Sequence, residues 1–318
     1  MSDVPAAPAS SRRIWAIVQI AASVSLLAAL IALVDFRALT DRFREADLLW
    51  MLLGIAAGLL QLALLGLRWW VLNRKLHLAA PLTAGDHVML TGLTHAASQV
   101  LPSSIGGDAV RVLVLKRCRI GLAEAMLSVL SDRAAGLMGL LALVLFGLLL
   151  GGVPEGAENA ALAAGIAALV GIGGVVIAPW IATRPAIVRL AERFALERAL
   201  AAGAGLMRDP IAALGILALS VLPHALNVVM AWSAAHALNL PVGWDVLTLA
   251  VPLALLVMTL PVSVAGWGVR EAVLVFVLGG AGFAAHDALA VSVTWGALLL
   301  AVGLIAALPS LLWLARRR

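Results

Sequence analysis

The sequence has little of what soluble catalytic domains use. It contains one cysteine, Cys118, and only 12% charged residues, against about 25% in soluble proteins. A single cysteine excludes an internal disulfide and a thiolate metal cluster, so we expect no metal and no cofactor. Instead, 63% of the residues are hydrophobic and the mean hydropathy is +1.07, which is typical of a chain that crosses a membrane several times.

Long apolar runs dominate the chain. A hydrocarbon core of about 30 Å is crossed by about 20 helical residues. Six runs are long enough, near 14–34, 48–67, 127–151, 161–182, 211–237 and 289–314. The longest polar stretches, 35–47 and 183–209, are too short to bury a core of their own. We therefore predict an all-α, polytopic integral membrane bundle, with residues 1–318 in one transmembrane domain and no soluble domain.

Basic residues predict the orientation, because Lys and Arg are disfavoured in short translocated loops. They precede the first span, follow the second span and the first motif, fill the loop after the fourth span and end the chain, whereas 152–160, 238–245 and 282–288 have none. We therefore expect both termini in the cytoplasm. The loop 35–47 is the exception, because it carries three arginines although alternation places it outside.

One motif occurs twice, half a chain apart. LPSSIGGDAVR at 101–111 and LPVSVAGWGVR at 260–270 are identical at six of eleven positions without a gap. Apolar stretches too short or too broken for ordinary spans bracket each copy, namely 87–101 with 109–120 and 245–260 with 269–281.

These stretches fit the alternation of loops only as two broken re-entrant hairpins that enter from opposite faces. Residues roughly 12–152 and 160–315 would then be two halves of an inverted-topology repeat, the pattern that points to a transporter site near the midplane. A chance match between two loops rich in Gly and Pro is the alternative.

The repeated motif has the chemistry of an anion site. Proline stops the incoming segment, glycine permits the reversal, and the next helix begins with N–H groups that attract anions. Ser104 and Ser263 offer hydroxyl donors, and Arg111 and Arg270 offer planar forks that match phosphate. We therefore predict contact with an anionic lipid headgroup.

Several of these residues also have structural interpretations. Asp108 can be a helix N-cap and Glu271 a favourable first-turn acid, each in an ion pair with the nearby arginine. Asp132 and Arg133 are either substrate groups or a local pair near the end of a span. His224 is expected to bond another helix, with proton coupling as the alternative.

The motifs resemble the signature regions of the lysylphosphatidylglycerol synthase transmembrane-region family, the flippase-like membrane part of multiple peptide resistance factor, which also occurs as stand-alone proteins. LPSSIGGDAVR, SDRAAG at 131–136 and LPVSVAGWGVREA at 260–272 carry the resemblance in order and spacing over most of the chain. By position it implies site residues at Gly106, Gly107, Asp108, Arg111, Asp132, Arg133, Gly266, Gly268, Arg270 and Glu271.

The resemblance implies a multi-pass protein of a bacterial or archaeal cell membrane with a lipid-translocating role. We expect a translocase of lipids or lipid-linked substrates, not an enzyme, because the aminoacyl-transferase part of the full synthase has no counterpart here. The expected partners are anionic or phosphate-bearing membrane lipids, and no nucleic acid. The alternatives are an intramembrane phosphatase of lipid carriers and a scaffold for a separate transferase partner; a homo-oligomer stays open.

Overall fold

The computed structural model describes residues 36–76, 82–100, 106–150, 158–181, 209–259 and 266–316, together with residues 21, 24, 25, 28 and 184. All regular structure in these residues is α-helical. Four of the helices are long and apolar enough to cross a membrane. The predicted all-α polytopic bundle is therefore confirmed. Ser104, Ser263 and most of the first predicted span lie outside the described residues.

The described residues form ten helices. In chain order they are α1 Phe36–Arg44, α2 Leu48–Lys75, α3 Ala84–Val100, α4 Gly106–Arg117, α5 Leu122–Leu150, α6 Glu158–Ile181, α7 Pro210–Ala237, α8 Trp244–Met258, α9 Val269–Gly280 and α10 Ala285–Arg316. The four candidate spans are α2, α5, α7 and α10. Helix α2 begins where the sequence predicts but continues from 67 to Lys75, so Arg68 lies inside the helix and not in a loop.

Local signals in the sequence set several helix ends. The side chain of Asp47 accepts a hydrogen bond from the Leu49 amide at the start of α2, and Asp209 does the same for Ala212 before α7. Gly266 and Gly268 have φ angles of 82° and 87°, which glycine adopts without a Cβ penalty. Two glycines with positive φ therefore directly precede α9.

Helices α2 and α7 pack antiparallel at the centre. A Cβ atom on Gly54 would lie 2.6 Å from Ser233 Oγ, and one on Gly58 would lie 3.0 Å from Met230 Cε. Both glycines also face α10, where Gly54 meets Leu298. Small residues let helix backbones approach closely, so this spacing holds α2 against two neighbours.

The loops predicted to lie outside meet at one end of the bundle. The amide of Asp47 donates to the carbonyl of Ala237 at 2.8 Å, and Arg42 pairs with Asp287 at 3.0 Å. These contacts join the segments 35–47, 238–245 and 282–288. The first of these is the loop whose three arginines do not fit the predicted orientation. At another place Lys75 pairs with Asp209 at 2.8 Å, joining the end of α2 to the start of α7. Which end faces the cytoplasm stays a prediction.

The two motif-bearing helix pairs have matching surroundings. Helices α3 and α4 pack on each other, as do α8 and α9, and α3 packs on α10 where α8 packs on α5. The end of α4 packs against Trp69 and Trp313, which lie late in α2 and α10, whereas α9 ends near Asp287 at the start of α10. The division into two repeated halves, and their inverted, re-entrant placement in a membrane, stay predictions.

Candidate functional site

A cavity of about 590 Å³ lies between α2, α3, α4, α5, α7, α8 and α10. Leucines and a methionine form much of its wall, and arginine, aspartate, histidine and asparagine side chains converge on it. A cavity in which polar side chains converge beside apolar ones is typical of a ligand site. The first copy of the motif lies in its wall, through Gly107, Asp108 and Arg111.

Two arginines share one carboxylate in this cavity. Arg68 Nε donates to Asp132 Oδ1 at 2.8 Å, and Arg111 Nη1 donates to Asp132 Oδ2 at 2.7 Å. Arg111 also lies over the Trp69 ring, with its Cζ 4.6 Å from the ring centroid. We call Arg68, Arg111 and Asp132 the arginine cluster. It carries one positive charge in excess, because two guanidiniums face one carboxylate.

A buried polar chain fixes the helices that carry the cluster. Trp69 Nε1 donates to Ser128 Oγ at 2.8 Å, and Ser128 donates to Asn73 Oδ1 at 2.7 Å. Asn73 in turn bonds His87 at 2.9 Å. These contacts connect α2 to α5 and α3. Each buried polar atom in them has a hydrogen-bond partner, as stable protein interiors require. They set the rotation of α2 that aims Arg68 at Asp132.

A second ion pair lies beside the cluster. Arg133 Nε donates to Asp108 Oδ2 at 2.7 Å, and the two side chains are 44% and 20% exposed. Asp108 therefore pairs with an arginine of α5, whereas the sequence suggested the nearer Arg111. Neighbouring Asp132 and Arg133 contact different partners, so they act in two separate ion pairs.

The second copy of the motif has a different environment. Arg270 donates to Glu271 through Nε, at 3.0 Å, and through Nη2. Glu271 also accepts from the Gly268 amide at 2.6 Å, and the residues are 2% and 0% exposed. Trp267 flanks the guanidinium with its ring centroid 4.5 Å away. We call Arg270 and Glu271 the sealed pair. It matches the structural alternative given for Glu271 from the sequence, a first-turn acid in an ion pair with the nearby arginine.

The structure divides the predicted site residues into two groups. The cavity brings together five of them: Gly107, Asp108, Arg111, Asp132 and Arg133. Gly106 is the first residue of α4, the helix that carries Arg111. The sealed pair and the turn before it contain Gly266, Gly268, Arg270 and Glu271, which are not among the described residues that line the cavity.

Three cavity residues were not assigned to the site from the sequence. Arg68 was assigned to a loop because the apolar run ends at 67, although nothing after it breaks a helix before Lys75. His224 Nε2 contacts the carbonyl of Gly136 at 3.0 Å, so the expected bond to another helix is present. Asn227 lies one turn further along α7 and is 3% exposed.

The model of the family described as "Lysylphosphatidylglycerol synthase TM region" matches residues 16–307. The comparison with curated proteins gave no match. The match covers α1 to α9 and most of α10, including the cavity and the sealed pair. The chain therefore belongs to the lysylphosphatidylglycerol synthase transmembrane-region family.

Proposed function

We propose that this protein moves lipids with an anionic headgroup between leaflets, and that the headgroup binds at the arginine cluster. One observation carries the proposal: the cluster has an excess positive charge inside a cavity whose wall also includes six leucines and a methionine. Arg68 is 4% exposed, and its Nη1 has no hydrogen-bond partner among the described residues. A buried cation with an unused donor attracts an anion.

The cavity wall suits a lipid. Leu62, Leu137 and Met258 line the same space as the two arginines, so apolar and anionic parts of one molecule can both be accommodated. Arginine within a membrane is costly, about 2.5–3.5 kcal/mol on insertion scales, and such residues mark substrate pathways. A phosphate would occupy the fork of Arg68 while the acyl chains remain in the bilayer.

The acids of the cavity support translocation over hydrolysis. A phosphatase needs a nucleophile, or an acid able to act as general base. Asp132 accepts from both arginines of the cluster, and Asp108 accepts from Arg133. Both carboxylates are thus engaged as counter-ions, which leaves them poorly placed to accept a proton from water.

Reconstitution in liposomes tests the proposal. With the full chain in vesicles, fluorescent phosphatidylglycerol in the inner leaflet should become accessible to dithionite. Arg68→Gln and Arg111→Gln should slow this by about ten- to a hundredfold, because a hydrogen bond to a charged group contributes about 1.5–3 kcal/mol. In the wild type, phosphatidylcholine should move more slowly than phosphatidylglycerol. The two variants should slow the movement of phosphatidylcholine less than that of phosphatidylglycerol.

Arg74→Gln is the matched control. Arg74 lies on the same helix, stacks over Trp70 at 5.1 Å, and is not among the cavity-lining residues of the described structure. It should leave the rate unchanged. Equal rates in the wild type and a folded Arg68→Gln protein would contradict the proposal. Release of inorganic phosphate from a lipid phosphate would favour a phosphatase.

A further inference from the structure

His224 has one bonded and one unbonded ring nitrogen. Its Nε2 lies 3.0 Å from the Gly136 carbonyl, which can only accept, so Nε2 carries a hydrogen. In the neutral ring Nδ1 is then an acceptor, and this buried atom has no hydrogen-bond partner within the described chain. His87 differs, because its Nδ1 contacts the Thr83 carbonyl at 2.8 Å and its Nε2 contacts Asn73 at 2.9 Å. Unlike His87, His224 therefore has a ring nitrogen that can take a proton without losing a bond.

A second unbonded acceptor lies one turn along the same helix. Asn227 Nδ2 donates to the Pro223 carbonyl at 3.3 Å, whereas its Oδ1 is buried and has no partner among the described residues. Side chains three residues apart share one face of a helix, and His224 and Asn227 both line the cavity. A proton on His224 Nδ1 makes it a donor for Asn227 Oδ1. One proton thus pairs two buried atoms, and buried polar atoms in native proteins are nearly always paired.

The charges around the cavity determine when that proton is favoured. The other charged or titratable side chains that line it are Arg68 from α2, His95 from α3, Asp108 and Arg111 from α4, and Asp132 and Arg133 from α5, while the described residues of α8 and α10 contribute none. Asp108 and Arg133 neutralise each other, and the arginine cluster keeps one positive charge in excess. This excess opposes a further cation at His224. A bound anion cancels it.

Gly136 places the arginine cluster next to His224. The terminal nitrogens of Arg68 lie 3.2 Å from where a Cβ of Gly136 would stand, and His224 bonds the carbonyl of the same residue. Arg68 Nη1 is also buried without a partner in the described chain. An anion held by Arg68 is therefore near His224, and opposite charges at short distance in a protein interior attract each other strongly.

We propose that an anion and a proton enter the cavity together, the anion at the arginine cluster and the proton, taken from water, on His224 Nδ1. This inference rests on the proposed function, because it adds a proton to the same anion site. Each ligand raises the affinity for the other, since coupling between two sites is reciprocal. For an anion with a single charge, the proton cancels the charge that the anion brings. Leaflet exchange then carries no net charge across the bilayer.

The pH dependence of lipid binding tests the inference. Phosphatidylglycerol keeps its single charge between about pH 5 and pH 8, the range in which histidine titrates. We expect the purified full chain in detergent to bind this lipid about tenfold more tightly at the lower pH, because coupling of two sites changes an affinity by about 5- to 150-fold. Calorimetry in two buffers with different ionisation enthalpies should show proton uptake on binding.

Two variants connect the pH dependence to His224. His224→Gln keeps an amide donor for the Gly136 carbonyl but has no group that titrates, so the affinity ratio should approach one and proton uptake should vanish. Asn227→Leu removes the acceptor of the protonated ring and should lower the ratio to about threefold or less, since a hydrogen bond to a charged group is lost. The wild-type measurement decides the coupling even if a variant does not fold.

His95→Gln is the matched control. His95 lines the same cavity and is a second histidine there, but its Nε2 contacts the Leu299 carbonyl at 3.2 Å and it is not among the residues with an unpaired buried atom. The variant should keep the tenfold ratio and the proton uptake. Loss of both in His95→Gln, or their retention in folded His224→Gln, overturns the assignment of the proton to His224.

The outcomes separate this inference from the proposed function. Wild-type binding that is independent of pH and takes up no proton overturns the coupling and leaves translocation standing. Binding with proton uptake but without leaflet exchange keeps the coupling and overturns translocation.

Discussion

The two copies of the motif end in the same arginine but place it in opposite settings. Arg111 takes its counter-ion from a distant helix and lines a cavity, whereas Arg270 takes it from the next residue and is closed off by Trp267. The difference lies in the flanking positions. Val112 follows Arg111 where Glu271 follows Arg270, and Asp108 corresponds to Trp267. A repeated motif thus does not imply a repeated site.

The charge balance of the described residues supports our proposal that the headgroup binds at the first copy and not at the second. The sealed pair is neutral, because one guanidinium faces one carboxylate. The arginine cluster is not neutral, since Asp132 is shared between Arg68 and Arg111. The first copy therefore retains a net attraction for anions. In the second copy the guanidinium is neutralised by the neighbouring carboxylate, so we interpret the sealed pair as a structural contact between α9 and α10.

The largest effect should come from breaking the sealed pair. Glu271→Gln keeps an oxygen for the Gly268 amide but leaves Arg270 charged, buried and without its counter-ion. Loss of one partner of a buried ion pair costs about 3–5 kcal/mol. We expect a large fall in the unfolding temperature in detergent. The double variant Arg270→Gln with Glu271→Gln should recover most of it; if it does not, the pair is not the cause.

Removal of the shared carboxylate sharpens the comparison from the other side. Asp132→Asn raises the excess charge of the arginine cluster by one, so the cavity should prefer a more highly charged headgroup. We expect phosphatidic acid to gain about tenfold over phosphatidylglycerol in competition for binding, a change of about 1.4 kcal/mol. Destabilisation should be smaller than in Glu271→Gln, because the cavity can admit water and ions. An unchanged preference would contradict the charge argument.

A smaller effect is expected from displacing Arg68 without changing charge. A methyl group at Gly136→Ala would lie 3.2 Å from both terminal nitrogens of Arg68 and would push the guanidinium by a few tenths of an ångström. We expect lipid exchange to slow by about two- to tenfold, since binding groups tolerate little misplacement. The control is Gly215→Ala, where a Cβ meets nothing described within 4 Å. Equal losses in both variants would point to general helix effects.

The smallest effect concerns an ion pair that belongs to neither arginine site, between Lys75 and Asp209. The hydrogen bond from Lys75 is the main cause of a lowered pKa at Asp209. This contribution to stability is fully present above the ordinary aspartate pKa of about 4 and is lost as the pH falls through the lowered value. Lys75→Met should therefore lower the unfolding temperature slightly at pH 7 and by less as the pH falls below about 4. A difference that does not shrink as the pH falls would have another origin.

Much of the fold followed from hydropathy, because a long apolar run in a bilayer has few alternatives to a helix. The ends of α2 were less predictable. Its apolar run stops at 67, but the helix continues because Trp69 and Asn73 find buried partners on α5 and α3. No local signal predicts this continuation, because Ser128, the partner of Trp69, lies more than 50 residues away along the chain. Arg68 was missed for that reason.

The candidate site was predictable only in part. The motif and its downstream SDRAAG named Arg111 and Asp132, and the cavity contains both. The motif could not tell which arginine would be neutralised, because that depends on side chains brought together by packing. His224 and Asn227 lie in a segment without any motif, and only the packing of α7 brings them to the cavity wall.

The sequence by itself determined that this is a helical membrane protein, which helices are long, and where arginine and glycine interrupt them. These properties follow from the apolar length of a segment and from the local preferences of Pro, Gly and Arg. The tertiary structure decided that Asp132 joins Arg68 to Arg111, and that Arg270 is closed off. A counter-ion acts over a few ångströms, and only the packing of distant helices brings one that close.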